Sequence, residues 1–182
     1  MVLITESGPE TLGINEPAPD FTLPATDGQT YSLASFSGKK AIVLVFTCNH
    51  CPYARAYDDR LSALVDEFAN RGVGFLAINS NDAANYPDDS FEKMAERSLN
   101  YPYAQDESQE TAAAYGAVCT PHFFILNEPR RVVYEGRLDD NWKEPDQVRH
   151  PDLKEAIQAV LADEPVPHPN TNPMGCSIKW KK

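Results

Sequence analysis

The sequence predicts an α/β fold, and three observations support this prediction. Short strand-like runs alternate with helix-like runs along the 182 residues, without an internal repeat or a low-complexity tract. The run AIVLVF at 41–46 is continuous and rich in β-branched residues, which is typical of a central strand covered on both faces. A second apolar run, VGFLAINS at 73–80, follows one helix later, and a right-handed crossover would set it parallel to the first. Both strands would then end at the same edge of the sheet.

The elements around the first central strand follow from local patterns. The segment DFTLPATDGQTYSL at 20–33 predicts a hairpin, because an Asp-Gly turn dipeptide separates two short runs. Apolar side chains at helical spacing between Tyr57 and Phe68 predict the first helix, and Gly72 is expected to mark its end.

The second half of the chain completes the alternation. Acidic and hydroxyl caps predict helices at 88–100 and 106–117. The segments 118–127 and 130–140 are separated by a short turn and predict two strands of a hairpin. The apolar spacing at 151–162 predicts a last helix, with its proline just inside the start.

Composition and length limit the possible classes of function. The formal net charge of -11 and the isoelectric point near 4.7 argue against nucleic-acid or anionic-membrane binding, which need clustered Lys and Arg. No segment approaches the ~18–20 apolar residues of a membrane span, and the N-terminus does not resemble a signal peptide. We therefore expect a cytoplasmic protein with one domain at 1–163 and a Pro-rich connector and docking tail at 164–182.

The motif Cys48-Asn-His50-Cys51 follows the first buried strand directly. Four cysteines are too few for a disulfide scaffold, so this spacing indicates redox or metal chemistry. Cys48 is expected at the start of the first helix, where backbone N–H groups favour a thiolate. Lowering the pKa of Cys48 from ~8.5 to ~6 takes roughly 3.4 kcal/mol, and a helix terminus supplies at most ~2. His50 is therefore expected to contribute to the remaining stabilisation of the thiolate. Cys48 would then attack the substrate disulfide, and Cys51 would resolve the mixed disulfide. The Cys48 sulfur is expected to be exposed, so alkylation at neutral pH should modify Cys48 before Cys51.

The order strand–CxxC–helix–strand, then Thr-Pro–strand–strand–helix, resembles the thioredoxin fold. The segment EPAPDFTLPATDGQTYSLASFSGKKAIVLVF at 16–46 is similar to the opening of the alkyl-hydroperoxide-reductase and thiol-specific-antioxidant branch, the peroxiredoxin-like one, and the resemblance extends from about Asn15 to about Ala162. It implies a three-layer α/β/α sandwich with a mixed central sheet, an N-terminal hairpin extension and a C-terminal tail. It also implies that Thr120 and Pro121 form a cis-proline loop, which would be the backbone platform for a substrate strand.

The function predicted from this motif is thiol–disulfide exchange with a protein or small-molecule substrate. No organic cofactor and no metal are implied. The sequence does not identify the electron donor, and it leaves a monomer and a homodimer open.

Metal binding is one alternative. Cys48 and Cys51, together with Cys119 and His122 in CTPH, form a donor set of soft sulfur and imidazole that suits zinc or copper(I).

Peroxide reduction is another alternative, which the antioxidant branch suggests. Its peroxidatic sites have the pattern Pro-x-x-x-Thr-x-x-Cys. With Cys51 as the peroxidatic residue, Leu44 stands at the Pro position and Cys48 at the Thr position, so the pattern fails twice. Arg137 is the candidate for the arginine that polarises the peroxide.

Cys119 and Cys176 are further candidate redox residues. Cys176, Ile178 and Trp180 alternate along the tail and predict a docking strand with these three side chains on one buried face. The other hypothesis is that Cys176 is a tail resolver that forms a disulfide with Cys48 or Cys119, as tail cysteines do in some enzymes of the resembled branch.

Overall fold

A computed structural model of the chain describes residues 3–4 and 11–182. Residues 1–2 and 5–10 of the predicted domain 1–163 lie outside the described residues. In chain order the elements are β1 (Leu3–Ile4), β2 (Leu23–Pro24), β3 (Thr30–Tyr31), β4 (Ala41–Phe46), α1 (Pro52–Phe68), β5 (Val73–Asn79), α2 (Phe91–Ala95), β6 (Tyr103–Gln105), α3 (Glu110–Tyr115), β7 (Cys119–Thr120), β8 (His122–Asn127), β9 (Val132–Gly136), α4 (Asp152–Leu161) and β10 (Met174–Ser177).

The central sheet has five strands in the order β6-β5-β4-β8-β9. Strand β4 pairs in parallel with β5 and antiparallel with β8, so the sheet is mixed, as predicted. All six residues of β4 are buried, because hydrogen-bonded neighbours flank the strand and apolar layers cover both of its faces. The carboxyl ends of β4 and β5 and the beginning of β8 therefore meet at one edge.

Alternate residues of the sheet face two apolar cores. Val43 and Val45 contact the core that α1, α2 and α4 cover. Ile42, Leu44 and Phe46 contact the opposite core, which contains residues of α3 and of the β2–β3 hairpin. This arrangement is the predicted α/β/α sandwich with its N-terminal hairpin.

Three local predictions need correction. The helix predicted at 88–100 spans only Phe91–Ala95, because the chain turns after it to place β6 on the sheet edge. Strand β6 itself was not predicted, since three residues are too few to show a period. Helix α4 begins at Asp152, so Pro151 is its N-cap residue and lies just before the helix rather than inside it.

The tail folds back onto the domain and ends near the junction of β4 and α1. Strand β10 pairs antiparallel with β7, with Cys176 opposite Thr120, and with β1 on its other side. Ile178 is buried in a core, as predicted, but Trp180 is 45% exposed. The prediction of one buried face is wrong at Trp180 because the strand ends at Ser177 and the alternation ends with it.

No helix in the described part of the chain has the length and apolar character needed to cross a membrane.

Candidate active site

The four cysteines lie at the sheet edge where β4 ends and β8 begins. Cys48 follows β4 by two residues, and Cys51 is the residue that precedes α1. Cys119 lies in β7, and Cys176 lies in β10, which pairs with β7. Cys48 and Cys51 pack with Ala54, and Cys176 contacts this small cluster from the tail.

Thr120 contacts both sulfurs of the CxxC motif. The Thr120–Pro121 peptide bond is cis, as the resemblance implied. The Cys48 Sγ is 3.4 Å from the Thr120 hydroxyl oxygen, and the Cys51 thiol donates to the Thr120 carbonyl oxygen at 3.1 Å. The predicted site residues Cys48, Cys51, Thr120 and Pro121 are therefore brought together.

The predicted start of the helix at Cys48 is wrong. Helix α1 begins at Pro52, and Cys51 is its N-cap residue with an extended backbone. Proline is well suited to the first helical position, because its fixed φ fits the helix and its missing N–H is not needed there. The Cys48 sulfur was also expected to face solvent, but Cys48 and Cys51 both have 0% relative exposure.

Hydrogen bonds shift the acidity of the two thiols in opposite directions. The pKa of Cys51 is lowered to about 4, chiefly because its sulfur accepts a hydrogen bond from Cys48, and burial only partly opposes this. Cys176 and the backbone N–H of Ala54 donate to the same sulfur. The pKa of Cys48 is raised, first by its hydrogen bond to Cys51, then by burial and by the charge of Asp89. The contacts therefore favour a thiolate on Cys51 beside a neutral Cys48 thiol.

Asp89 is a site residue that the sequence did not reveal. Its side chain is fully buried, and its Oδ1 accepts the backbone N–H of Asn49 at 2.6 Å. Asn79, the last residue of β5, and Asn81, which follows the strand, donate their side-chain amides to the same carboxylate at 3.3 and 2.9 Å. Asp89 therefore fixes the Cys-Asn-His-Cys loop against the end of the neighbouring strand.

His50 contacts Asp89 rather than a cysteine sulfur. Its Nδ1 lies 2.5 Å from the Asp89 Oδ2, without the alignment of a hydrogen bond. The ring also stacks on Tyr86, with 5.9 Å between centroids. His50 therefore lies beside the carboxylate that contributes to the raised pKa of Cys48, and its tuning role stays a prediction.

The remaining two cysteines differ in exposure. Cys119 is buried, and its pKa is raised to about 12 by burial and by the charges of Cys51, Cys176 and Glu135. Cys176 is only partly buried, and its pKa is raised to about 11, first by burial and then by its hydrogen bond to Cys51. Of these two free thiols, Cys176 is the one that packs against the motif cysteines.

The predicted metal set of Cys48, Cys51, Cys119 and His122 is not assembled. His122 is buried with both ring nitrogens engaged, by Glu135 at 2.8 Å and by the backbone N–H of Val118 at 3.3 Å. Within the described residues, the one group of three close donors is Cys48, His50 and Asp89. Two ligands of a tetrahedral zinc are about 3.3 Å apart, so the 2.5 Å distance between the His50 Nδ1 and the Asp89 Oδ2 fits a direct contact better than a shared metal.

Arg137, the candidate for the peroxide-polarising arginine, forms an ion pair with a carboxylate of another element. Its Nε lies 2.7 Å from the Asp152 Oδ2 at the start of α4. It is not among the charged groups that shift the pKa of Cys48 or Cys51.

A polar groove begins next to the motif. It has a volume of about 610 Å³, and Asn49 and His50 line one end of it. Arg55, Asp58 and Lys93 line the rest with other polar side chains, but none of the four cysteines, all of which lie within the described residues, opens into it.

Comparisons with known proteins show the family of the chain. The profile of the Redoxin family matches residues 14–157. The thiol-disulfide oxidoreductase ResA of Halalkalibacterium halodurans is 26% identical over 119 residues, which are 65% of this chain and 65% of that protein. The match therefore spans less than two thirds of that relative's length.

Two solved structures extend the comparison to the whole fold. An uncharacterised conserved protein of Geobacillus kaustophilus is 39% identical, with a TM-score of 0.88 and coverage of 93% of both chains. Peroxidoxin BcpB of Mycobacterium tuberculosis superposes with a TM-score of 0.58 at 19% identity, covering 83% of this chain and 95% of that one. The fold is thioredoxin-like, as the sequence predicted.

Proposed function

Because the chain belongs to the Redoxin family, we propose that it is a thiol–disulfide oxidoreductase in which Cys48 and Cys51 form the reversible disulfide. One observation carries the proposal: the two buried sulfurs lie in one small cluster, and both contact Thr120 beside Pro121. A pair already in contact, with one sulfur poised as a thiolate, has the arrangement that disulfide exchange requires.

The proposed reaction begins at Cys51. Its thiolate attacks one sulfur of a substrate disulfide, a Cys51–substrate disulfide forms, and the other substrate sulfur leaves as a thiolate. Cys48 then loses its proton and attacks the Cys51 sulfur, which forms the Cys48–Cys51 disulfide and releases the second substrate thiolate. This order reverses the roles predicted from the sequence, in which Cys48 attacks; the contacts of Cys48 give that prediction no support.

The lowered pKa of Cys51 also indicates the direction of exchange. A stabilised thiolate stabilises the reduced protein relative to its disulfide, so the couple becomes more oxidising. We expect the oxidised protein to pass its disulfide to dithiols more readily than a CxxC protein whose thiols have ordinary pKa values. Protein or small-molecule thiols and disulfides are the proposed substrates, and the cytoplasm is the proposed location.

Disulfide reduction assays test the proposal. Reduced wild-type protein should accelerate the reduction of insulin by dithiothreitol, while Cys48→Ser and Cys51→Ser should each lose this activity. Cys119→Ala is the matched control, since it removes a buried cysteine of the same edge that is outside the CxxC pair. Equal activity in all four proteins would refute the pair as the redox centre.

Thiol peroxidase activity is a second candidate, and the lowered pKa of Cys51 at the start of α1 favours it. The Cys51 thiolate would attack the peroxide O–O bond, giving a Cys51 sulfenic acid and an alcohol after proton uptake. Cys48 would then displace water and form the Cys48–Cys51 disulfide. Hydroperoxide consumption with dithiothreitol, abolished by Cys51→Ser, would support this activity; insulin reduction without peroxide turnover would exclude it.

A further inference from the structure

The tail strand occupies the edge at which the sequence analysis placed a substrate strand. Strand β10 runs antiparallel to β7, with Cys176 opposite Thr120 and Ser177 opposite Cys119. The Thr120 backbone is therefore already engaged by this chain's own C-terminal segment. The residue that β10 places opposite Thr120 is a cysteine.

Close approach of the tail depends on a glycine. Gly175 is buried, and a Cβ at this position would collide with the Thr120 carbonyl oxygen and approach the Pro121 nitrogen. Further along, the Lys179 backbone is held by Asn81 and Gln109 through hydrogen bonds of 2.9 Å each. These contacts fix Cys176 against the CxxC pair rather than leaving it on a free end.

The contacts of Cys176 are directed at one sulfur. Cys176 packs against the buried cluster that contains Cys51, and it lies opposite Thr120, whose carbonyl oxygen is 3.1 Å from the Cys51 Sγ. The thiol and the backbone N–H of Cys176 both contribute to the lowered pKa of Cys51. Cys48 contributes to the same shift, so Cys51 has two thiols as neighbours. Cys176 is partly exposed, whereas Cys48 and Cys51 have 0% relative exposure.

We propose that Cys176 is a third redox cysteine, which exchanges the disulfide of the buried Cys48–Cys51 pair to a Cys51–Cys176 disulfide that external thiols can reach. This inference rests on the proposed function, because it needs the Cys48–Cys51 disulfide as its starting state. It differs from the tail resolver considered in the sequence analysis, since the partner is Cys51 and neither Cys48 nor Cys119.

The exchange is balanced without an added oxidant. The Cys176 thiol gives up its proton and attacks the Cys51 sulfur, a Cys51–Cys176 bond forms, and Cys48 leaves and takes up a proton. An external thiol then attacks the Cys176 sulfur and Cys51 leaves as a thiolate, which its lowered pKa favours. A second external thiol releases Cys176 and carries away the disulfide.

Disulfide mapping in the full-length chain tests the exchange. Cys48→Ser is treated with diamide, and linked peptides are identified by mass spectrometry. We expect a Cys51–Cys176 link with Cys119 still free, and in the wild type both the Cys48–Cys51 and the Cys51–Cys176 links. If Cys51 in Cys48→Ser remains a thiol or a glutathione adduct while Cys176 stays free, the inference is wrong.

Two variants of the tail separate chemistry from docking. Cys176→Ser should still form the Cys48–Cys51 link but be re-reduced by glutathione about ten-fold more slowly, since the exposed sulfur is lost. Gly175→Ala should lower the yield of the Cys51–Cys176 link by displacing β10, while the control Gly13→Ala, whose Cβ would meet only the flexible Glu16 side chain, should not. The proposal would be overturned if Cys176→Ser were re-reduced at the wild-type rate and Gly175→Ala gave the wild-type yield of the Cys51–Cys176 link, with thermal unfolding confirming that both variants fold.

The outcomes also distinguish this inference from the function on which it rests. A wild type that forms no Cys48–Cys51 link and does not reduce insulin refutes the proposed function, whatever the tail variants do. A wild type that forms this link and reduces insulin, with no Cys51–Cys176 link in Cys48→Ser, refutes only the role of Cys176.

Discussion

Cys48 and Cys51 are three residues apart and equally buried, yet their surroundings differ in kind. Cys51 precedes a helix, and its sulfur accepts from Cys48, from Cys176 and from the Ala54 backbone. Cys48 lies in the loop before the helix, where the buried carboxylate of Asp89 contributes to its raised pKa. The Cys51 sulfur therefore has several donors beside the Thr120 carbonyl oxygen, while the Cys48 sulfur has a negative charge near it.

This difference shows that the C-x-x-C spacing does not decide which cysteine is the thiolate. The spacing allows the two sulfurs to come into contact, but the acidity of each thiol depends on the groups around it. These groups include the start of α1 for Cys51 and the carboxylate of Asp89 for Cys48. Because α1 begins at Pro52 and not at Cys48, the backbone N–H of Ala54 in its first turn adds to the lowering of the Cys51 pKa. The proposed chemical roles change with it.

Removing Cys51 should have the largest effect on the thiolate. We expect reduced wild-type protein to show ultraviolet thiolate absorbance that is lost as the pH falls through about 4, the lowered pKa of Cys51. Cys51→Ser should show no thiolate at neutral pH, because burial and the charge of Asp89 still raise the pKa of Cys48, and burial still raises the pKa values of Cys119 and Cys176. Absorbance titration of both proteins measures this directly.

The corresponding Cys48→Ser variant completes this comparison. It should keep a thiolate at neutral pH, with a pKa above about 4 because the first donor to Cys51 is weakened. The Cys51 pKa is lowered in the folded protein, so the thiolate is present above that pKa and is lost as the pH falls below it. Loss of the neutral-pH thiolate in Cys48→Ser but not in Cys51→Ser would reverse our assignment.

Neutralising Asp89 should have a smaller effect, confined to Cys48. In the Cys51→Ser background, Asp89→Asn should lower the pKa of Cys48 by about one unit, or ~1.4 kcal/mol, because a buried like charge is removed. The control is Asp88→Asn, which makes the same change on an exposed neighbouring side chain. Thiolate titration compares the two variants.

Asp89→Asn should also reduce stability, since an amide cannot replace both carboxylate oxygens that accept from Asn49, Asn79 and Asn81. We expect the free energy of unfolding to fall by about 1–3 kcal/mol, the range for leaving a buried partner unsatisfied. Denaturant unfolding checks this, with Asp88→Asn again as the reference. An unchanged pKa of Cys48 in a folded Asp89→Asn variant would show that the carboxylate does not set its acidity.

Much of the fold could be predicted from the sequence because it follows from local apolar periods. The runs at 41–46 and 73–80 are long and continuous, and α1 presents a regular apolar face. The start of α1 was mispredicted although a signal was present: Pro52 is a residue preferred at the first helical position, which makes Cys51 the N-cap.

The rest of the site depends on contacts between distant segments. Asp89 is about forty positions from the motif that it anchors, and in the sequence it is one of two acidic residues before a short helix. The tail pattern predicted a docking strand, but the register that sets Cys176 opposite Thr120 is fixed by the close approach of Gly175. Neither contact has a local signature, so only the assembled fold reveals them.

Replacing His50 should have the smallest effect, and it tests which sulfur carries the charge. His50→Asn removes the partner of Asp89, which should raise the pKa of Cys48 further. Because Cys48 is already protonated at neutral pH and the named causes of the lowered Cys51 pKa are Cys48, Cys176 and the Ala54 backbone, we expect the reduced state to change little. The reduction potential, measured by equilibration with glutathione buffers, should therefore stay within about 30 mV (~1.4 kcal/mol) of the wild type and of the exposed control His168→Asn. A larger shift toward a more reducing couple, seen only in His50→Asn, would mean that Cys48 is the thiolate and that His50 stabilises it.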